Sequence, residues 1–330
     1  MKRKLGGRRV DAIGLGCMNL NHAYGRPLAP EAAARLLDRA LDLGYDHWDT
    51  ARIYGGGLNE EFVGRALKGR RDRVFLASKT GIYDEGGRRW IDCSPAAIRA
   101  AVDTSLRTLG TDHIDLYYMH RRDFAVPIEE SVGAMADLVA AGKIGGIGLS
   151  EMSAETLRRG HAVHPIAAVQ TEYSPWSRNV EIAVLEATRE LGVAFVAFSP
   201  LGRAALTGTL RDPATLAPGD LRPKMPRFQP DHWPRNLALV DRFVELAAGA
   251  GVTAAELCLG WVLARGEHVH AIPGTSSLDH LAQNVARRDW LPDAALVAAV
   301  DALFAPGAVS GGRYPAGLQQ QIETEEFPPA

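Results

Sequence analysis

What most constrains this chain is an alternation of short β-branched or aromatic runs with longer helical stretches, repeated from one end to the other. Strand-like runs occupy residues 12–16, 46–50, 74–78, 114–120, 144–150, 167–173, 194–200 and 269–273. Between them lie helical patterns at 31–44, 94–110, 129–142, 153–161, 181–192, 236–251 and 253–266. Strands separated by helices pair in parallel through right-handed crossovers, and eight of them suffice to close on themselves. The spacing therefore predicts an α/β chain folded as a (β/α)8 TIM barrel. The opening KLGGRRV (4–10) reads as a β-hairpin with a Gly-Gly turn that caps the barrel floor. Several helices carry end signals: Ser94 and Pro95 open one, and Gly44, Gly110 and Gly192 close three. No linker or low-complexity tract divides the chain, so one domain is expected over residues 1–330, its tail from roughly 305 lying over the barrel mouth. A doubly wound sheet would want G-x-G-x-x-G after its first strand, and GLGCMN (14–19) supplies only the first two glycines.

A length of 330 residues with 46% hydrophobic and 23% charged residues allows a large core. The formal net charge of -2, with acids and bases interspersed, argues against nucleic acid and acidic lipid as partners. Cys17, Cys93 and Cys258 are few, scattered and odd in number, which points to a reducing compartment rather than a disulfide framework. The basic opening lacks a following apolar region, and no apolar run has membrane-spanning length. The expectation is a cytoplasmic protein, a monomer or weak homo-oligomer.

In a parallel barrel the C-terminal strand ends share the face where active sites form. The stretch HWDTARIY (47–54) places Asp49 at the second strand end and Tyr54 just beyond it. Lys79 ends the third strand and His120 the fourth. Tyrosine, with a reference pKa of about 10, is a poor acid at neutral pH. A lysine cation about 4 Å away favours the phenolate by roughly 4 kcal/mol at an effective dielectric of about 20, bringing the phenol into a range useful for proton donation. A buried ammonium needs a counterion, which Asp49 supplies. His120 offers a hydrogen bond to a carbonyl oxygen. Each residue alone has a structural explanation; their concurrence at consecutive strand ends points to a site.

The chain resembles the aldo-keto reductases over nearly its whole length. The stretches that carry the resemblance are GLGCMNL (14–20), DTARIYGGGLNEEFVGRAL (49–67), SKTG (78–81), SLRTLGTDHIDLYYMHRRD (105–123), VAAGKIGGIGLSE (139–151), AVQTEYS (168–174), AFSPLGR (197–203) and IPGTSSLDHLAQN (272–284). The resemblance implies that Asp49, Tyr54, Lys79 and His120 are the catalytic tetrad, with Tyr54 as general acid. It implies hydride transfer from a reduced nicotinamide to an aldehyde or ketone. The cofactor positions it implies are Met18, Asp49, Ser150, Gln170, Phe198, Ser199, Leu201, Gly202, Arg203, Gly274, Thr275, Ser276, His280, Gln283 and Asn284. Ser150 and Gln170 match the carboxamide contacts, Phe198 the aromatic that stacks on the nicotinamide, and 199–203 the pyrophosphate loop. The segment from Gly274 matches the adenosine and 2′-phosphate site.

Two departures stand out. Glu151 follows the strand-five serine where many relatives have asparagine, and GLSE with HAVHP (161–165) is similar to a branch resembling pyridoxal reductases and plant and bacterial aldehyde reductases. Gly274 and His280 stand where many relatives place lysine and arginine on the 2′-phosphate, which weakens the electrostatic case for NADP. With Ser276, Ser277, His280 and Arg203 available to a phosphate, NADPH is the expected cofactor with NADH as the alternative. By position, Tyr24, Trp90, Arg121 and Trp176 form the substrate pocket for a small carbonyl compound, with Arg313 and Tyr314 folding over it; such an aromatic lining would favour flat or apolar substrates. No metal site is expected. His268 and His270 fall at the barrel floor, and His161 and His164 have no nearby carboxylate or thiolate. Two other functions fit the same residues: a Schiff-base lyase using Lys79, and a non-catalytic dinucleotide-sensing module resembling the channel-associated members of the family.

Overall fold

The computed structural model describes residues 1–327. A hairpin of β1 (Lys2–Leu5) and β2 (Arg8–Asp11) precedes the barrel strand β3 (Leu15–Gly16). Helix α1 (Pro30–Asp42), β4 (His47–Asp49), α2 (Leu58–Leu67) and β5 (Phe75–Thr80) follow. A second hairpin, β6 (Ile82–Glu85) and β7 (Arg88–Ile91), then leads into α3 (Pro95–Leu109) and β8 (Leu116–Met119). The alternation continues with α4 (Ile128–Ala140), β9 (Ile147–Ser150), α5 (Ala154–Val163), β10 (Ile166–Glu172), α6 (Val184–Leu191) and β11 (Ala194–Phe198). Helices α7 (Trp233–Gly249) and α8 (Ala254–Leu263) precede β12 (Val269–Ile272), and α9 (Leu278–Ala286), α10 (Ala294–Leu303) and α11 (Ala316–Gln319) close the chain.

Eight strands pair in parallel in the order β12-β11-β10-β9-β8-β5-β4-β3. Isolated parallel bridges from Ile13 to Ala271 and from Gly16 to Gly274 join the two edges, closing the (β/α)8 barrel that the alternation predicts. The helices form where the end signals lie. Ser94 accepts a hydrogen bond from Ala97 N ahead of Pro95, and Gly110 terminates α3 in the left-handed region at φ 65°. Thr253 and Glu256 cap α8 reciprocally.

Side chains alternate between the two faces of each strand, and that period of two sorts the core. Phe75, Ala77, Leu116, Tyr118, Ala168, Ala194, Val196 and Ile272 fill the barrel interior together with Leu5 and Val10 of the N-terminal hairpin. Their neighbours Leu76, Tyr117, Val169, Phe195 and Ala271 face outward into the helical layer. The hairpin is fastened to the floor by Arg3, whose Nη1 donates to the carbonyls of Gly266 and Val269, each at 2.6 Å. His270 Nε2 and Lys4 O lie 3.2 Å apart at the same end. Among the described residues no single helix is long and apolar enough to cross a membrane.

Candidate active site

The alternation that buries Phe75 and Ala77 carries Lys79 inward at the top of β5; Leu116 and Tyr118 do the same for His120 just beyond β8. Asp49 ends β4, and Tyr54 opens the short turn after it. The barrel thus brings all four to its C-terminal mouth. Lys79 is fully buried and pairs with Asp49 Oδ1; its ammonium also donates to Thr50 O at 2.8 Å. The same nitrogen lies 3.5 Å from the Tyr54 hydroxyl. Gln170 Nε2 donates to Asp49 Oδ2 at 2.8 Å, so the carboxylate is held on both oxygens. The Tyr54 and His120 rings meet edge to face, with centroids 5.9 Å apart.

Burial alone would favour the neutral amine of Lys79, but Asp49 and then Tyr54 more than offset it, and the pKa ends above its ordinary value. Burial also raises the Asp49 carboxyl, with Lys79 and Gln170 pulling against it, and the direct contact between ammonium and carboxylate favours the ionised pair. For Tyr54 the balance falls differently from the sequence expectation. Burial pushes the phenol above its usual value, and Lys79 pulls against that without cancelling it. A phenol 8% exposed has lost most of the water that would solvate a phenolate. Burial, followed by the charges of Arg121 and Lys79, holds His120 far below the usual imidazole value, so it is neutral; its Nδ1 is buried without a partner.

A cleft of about 950 Å³ opens over these residues. Of the cofactor positions named from the sequence, Met18, Asp49, Ser150, Gln170, Phe198, Ser199, Leu201, Arg203, Gly274, Thr275, Ser276 and His280 line it. Three others stand outside its wall. Gly202 is turned away at φ 58°, where a Cβ would come 2.7 Å from Trp176 Nε1. Asn284 is buried, and Gln283 is exposed on α9. Of the expected substrate residues, Tyr24 and Arg121 line the cleft, whereas Trp90 and Trp176 do not. Trp90 stacks on Tyr83 in the β6–β7 hairpin, and Trp176 packs edge-on against Phe228 beneath the 199–203 loop. The aromatic-lined pocket is thus replaced by a mixed wall that includes Arg89, Arg121 and Asp84.

Other residues at the mouth escape sequence reading. His22 stacks on Tyr54 at 5.4 Å, and Asp220 accepts from Gly25 N at 3.2 Å while pairing with Arg222. The sequence gives no signal for either, because both sit on loops without a regular period. From the tail, Tyr314, Leu318, Gln321 and Ile322 line the cleft. Arg313, 4% exposed, pairs with Glu151, whose other oxygen accepts from Thr324 Oγ1 at 2.8 Å. Arg203 joins Glu172 at 3.0 Å and the Tyr314 hydroxyl at 3.1 Å. Glu151, Ser199, Arg203 and Ala204 all adopt positive φ without being glycine, so backbone strain collects around this opening. Cys17 is buried and its thiol is pushed up by that burial, so it is no nucleophile. Among the described residues no cluster of three or more His, Cys, Asp or Glu could hold a metal ion.

A closed parallel barrel thus carries a buried lysine–carboxylate pair behind a tyrosine and a neutral histidine at its mouth, the arrangement that the resemblance leads one to expect. The model of the Aldo/keto reductase family matches residues 12–304, and the chain belongs to that family. It is 42% identical to the aldo-keto reductase yakc [NADP(+)] of Schizosaccharomyces pombe, over 97% of this chain and 96% of that one. The glycerol dehydrogenase AKR11B4 from Gluconobacter oxydans superposes with a TM-score of 0.83 at 28% identity, covering 100% of this chain and 98% of its own. An aldo-keto reductase from Klebsiella pneumoniae in complex with NADPH gives a TM-score of 0.72 at 30% identity, with coverage of 95% and 98%.

Proposed function

We propose that this protein is an NADPH-dependent carbonyl reductase in which Tyr54 delivers the proton. The observation that carries the reading is the Lys79 ammonium, locked against Asp49 and 3.5 Å from the Tyr54 hydroxyl. The cleft fits a dinucleotide. It runs from Tyr54 and His120 past Ser150, Gln170 and Phe198 to Ser276 and His280, and its volume lies at the upper end of the small-molecule range. Gln170 has an amide N–H committed to Asp49, which leaves its carbonyl oxygen to accept from a carboxamide. The relative named for NADP(+) and the neighbour solved with NADPH support the phosphorylated form.

When bound, the reduced nicotinamide supplies the hydride. The protein's own residues handle the proton and the oxygen. Tyr54 stays protonated through the neutral range and donates to the carbonyl oxygen as negative charge develops there. Lys79 then stabilises the resulting phenolate, and Asp49 keeps Lys79 charged. Neutral His120 carries one N–H with which to hold the oxygen against the hydroxyl. A single chain provides every one of these groups, and the free, buried cysteines suit a reducing compartment such as the cytoplasm.

A Schiff-base role would need Lys79 as a neutral amine facing the cleft. It is instead fully buried and held as a cation. The test is absorbance at the reduced-nicotinamide band with an aldehyde panel, run with NADPH and NADH. Tyr54→Phe should lower kcat about 100-fold or more while dinucleotide binding persists. Tight dinucleotide binding without turnover in the wild type would overturn the reading in favour of a sensing module.

A further inference from the structure

Five arginines line the cleft, and their partners divide them. Arg203 pairs with Glu172 and Arg222 with Asp220, while Arg26 is exposed at the rim. Arg121 and Arg89 differ: among the described residues neither forms an ion pair with a carboxylate. Arg121 is only 8% exposed. Its Nη1 donates to His120 O at 2.6 Å and approaches Ser150 Oγ at 3.4 Å, which puts the guanidinium beside the Tyr54–His120 pair. Arg89 comes from the β6–β7 hairpin and reaches the same cleft. Asp84 stands opposite it across that hairpin, but accepts from Gly87 N at 3.2 Å instead of pairing with the arginine.

Asp84, on the same cleft wall, offsets Arg89 without forming an ion pair with it, and the other nearby charges are engaged elsewhere. Asp49 is occupied by Lys79, Glu151 by Arg313, and His22 and His120 are held toward their neutral forms. Arg89 is exposed toward solvent, and partial burial, then the charge of Arg121, lowers its pKa against the opposing pull of Asp84. Guanidinium groups recognise carboxylates through paired N–H donors, and a substrate anion between them would relieve the repulsion.

We infer that Arg121 and Arg89 form an anion subsite at the mouth of the cleft, so that the preferred substrates are aldehydes or ketones carrying a carboxylate near the reacting carbonyl. This rests on the reductase reading and narrows it. It also separates Arg121 from the dinucleotide phosphates, because Arg121 lies against Ser150 at the end proposed for the nicotinamide.

The test compares the three carboxybenzaldehyde isomers with their methyl esters, each reduced by NADPH, in the wild type, Arg89→Gln and Arg121→Gln. For at least one isomer the wild type should favour the acid over its ester by about 10- to 100-fold in kcat/KM. That ratio should fall toward one in both variants, with ester turnover in each serving as its own reference for folding. Equal turnover of acids and esters by the wild type would overturn the subsite and leave the reductase reading intact. Loss of NADPH affinity in the variants with an unchanged acid-to-ester ratio would also overturn it, by assigning the arginines to the dinucleotide. No oxidation of NADPH or NADH by any of these aldehydes would overturn the reductase reading, and the subsite with it.

Discussion

At Tyr54 two opposing effects meet, and their balance sets the chemistry. Desolvation keeps the proton on the phenol, and the Lys79 ammonium favours losing it. The net result is an acid that holds its proton until a stronger base, the developing alkoxide, appears beside it. Lys79 in turn depends on Asp49. Breaking a buried ion pair leaves one charge uncompensated and costs about 3–5 kcal/mol. Lys79→Met should therefore lower unfolding stability by roughly that amount in urea titrations. Adding Asp49→Asn should recover part of the loss, because the stranded carboxylate is gone. A double variant as unstable as the sum of the singles would show that the two charges are not coupled. Catalytic loss should persist in the double variant, since neither neutral side chain can stabilise a phenolate.

The placement of these groups belongs to the strands, and much of it is legible from the sequence. Alternation within VFLASK and IDLYYMH already puts Lys79 and His120 on the face that carries Phe75 and Leu116. Helix α2 gave no such signal: it starts from Gly57 at φ 102° with no capping side chain, so the usual polar N-cap is missing. The β6–β7 hairpin is an insertion with its own two-strand pairing, outside the barrel's repeat. Position along the sequence puts its Trp90 at the pocket, but the ring stacks on Tyr83 instead. Loop residues such as His22 and Asp220 are brought in by tertiary contacts that no local period encodes. The closing bridge between β3 and β12 bears on Gly274. A Cβ there would collide with Asn19 Oδ1 and come 2.9 Å from Gly16 O, the bridge partner. Gly274→Lys, which adds the cation that the family resemblance leads one to expect there, should cost about 1–3 kcal/mol and fail to lower the KM for NADPH. A clear gain in NADPH affinity without loss of stability would show that the seam can yield.

Across the whole molecule, the barrel is sealed at one end by the N-terminal hairpin and overlain at the other by the tail. The tail is fixed by charge: Arg313 meets Glu151 and Glu172, and Arg203 shares Glu172. Burial opposes ionisation of Glu172, yet Arg203, Arg313 and Arg227 outweigh it and lower its pKa to about 2. A carboxylate depressed in the folded state stabilises it fully above the ordinary carboxylate range, and that contribution fades as pH falls toward the folded value. Wild type should thus exceed Glu172→Gln by on the order of 3 kcal/mol near neutrality, and the gap should close between about pH 4.5 and about 2 in acid titrations of unfolding. A gap independent of pH would assign the loss to packing. The order of synthesis adds a constraint. All eight barrel strands have been made once Ile272 emerges, whereas Arg313 arrives later. A growing chain therefore passes through a stage in which Glu151 has met neither Arg313 nor Thr324, while Glu172 already has Arg203. Until that late arginine docks, Glu151 lacks its counterion, so the finished mouth is the last part of the molecule that synthesis can complete.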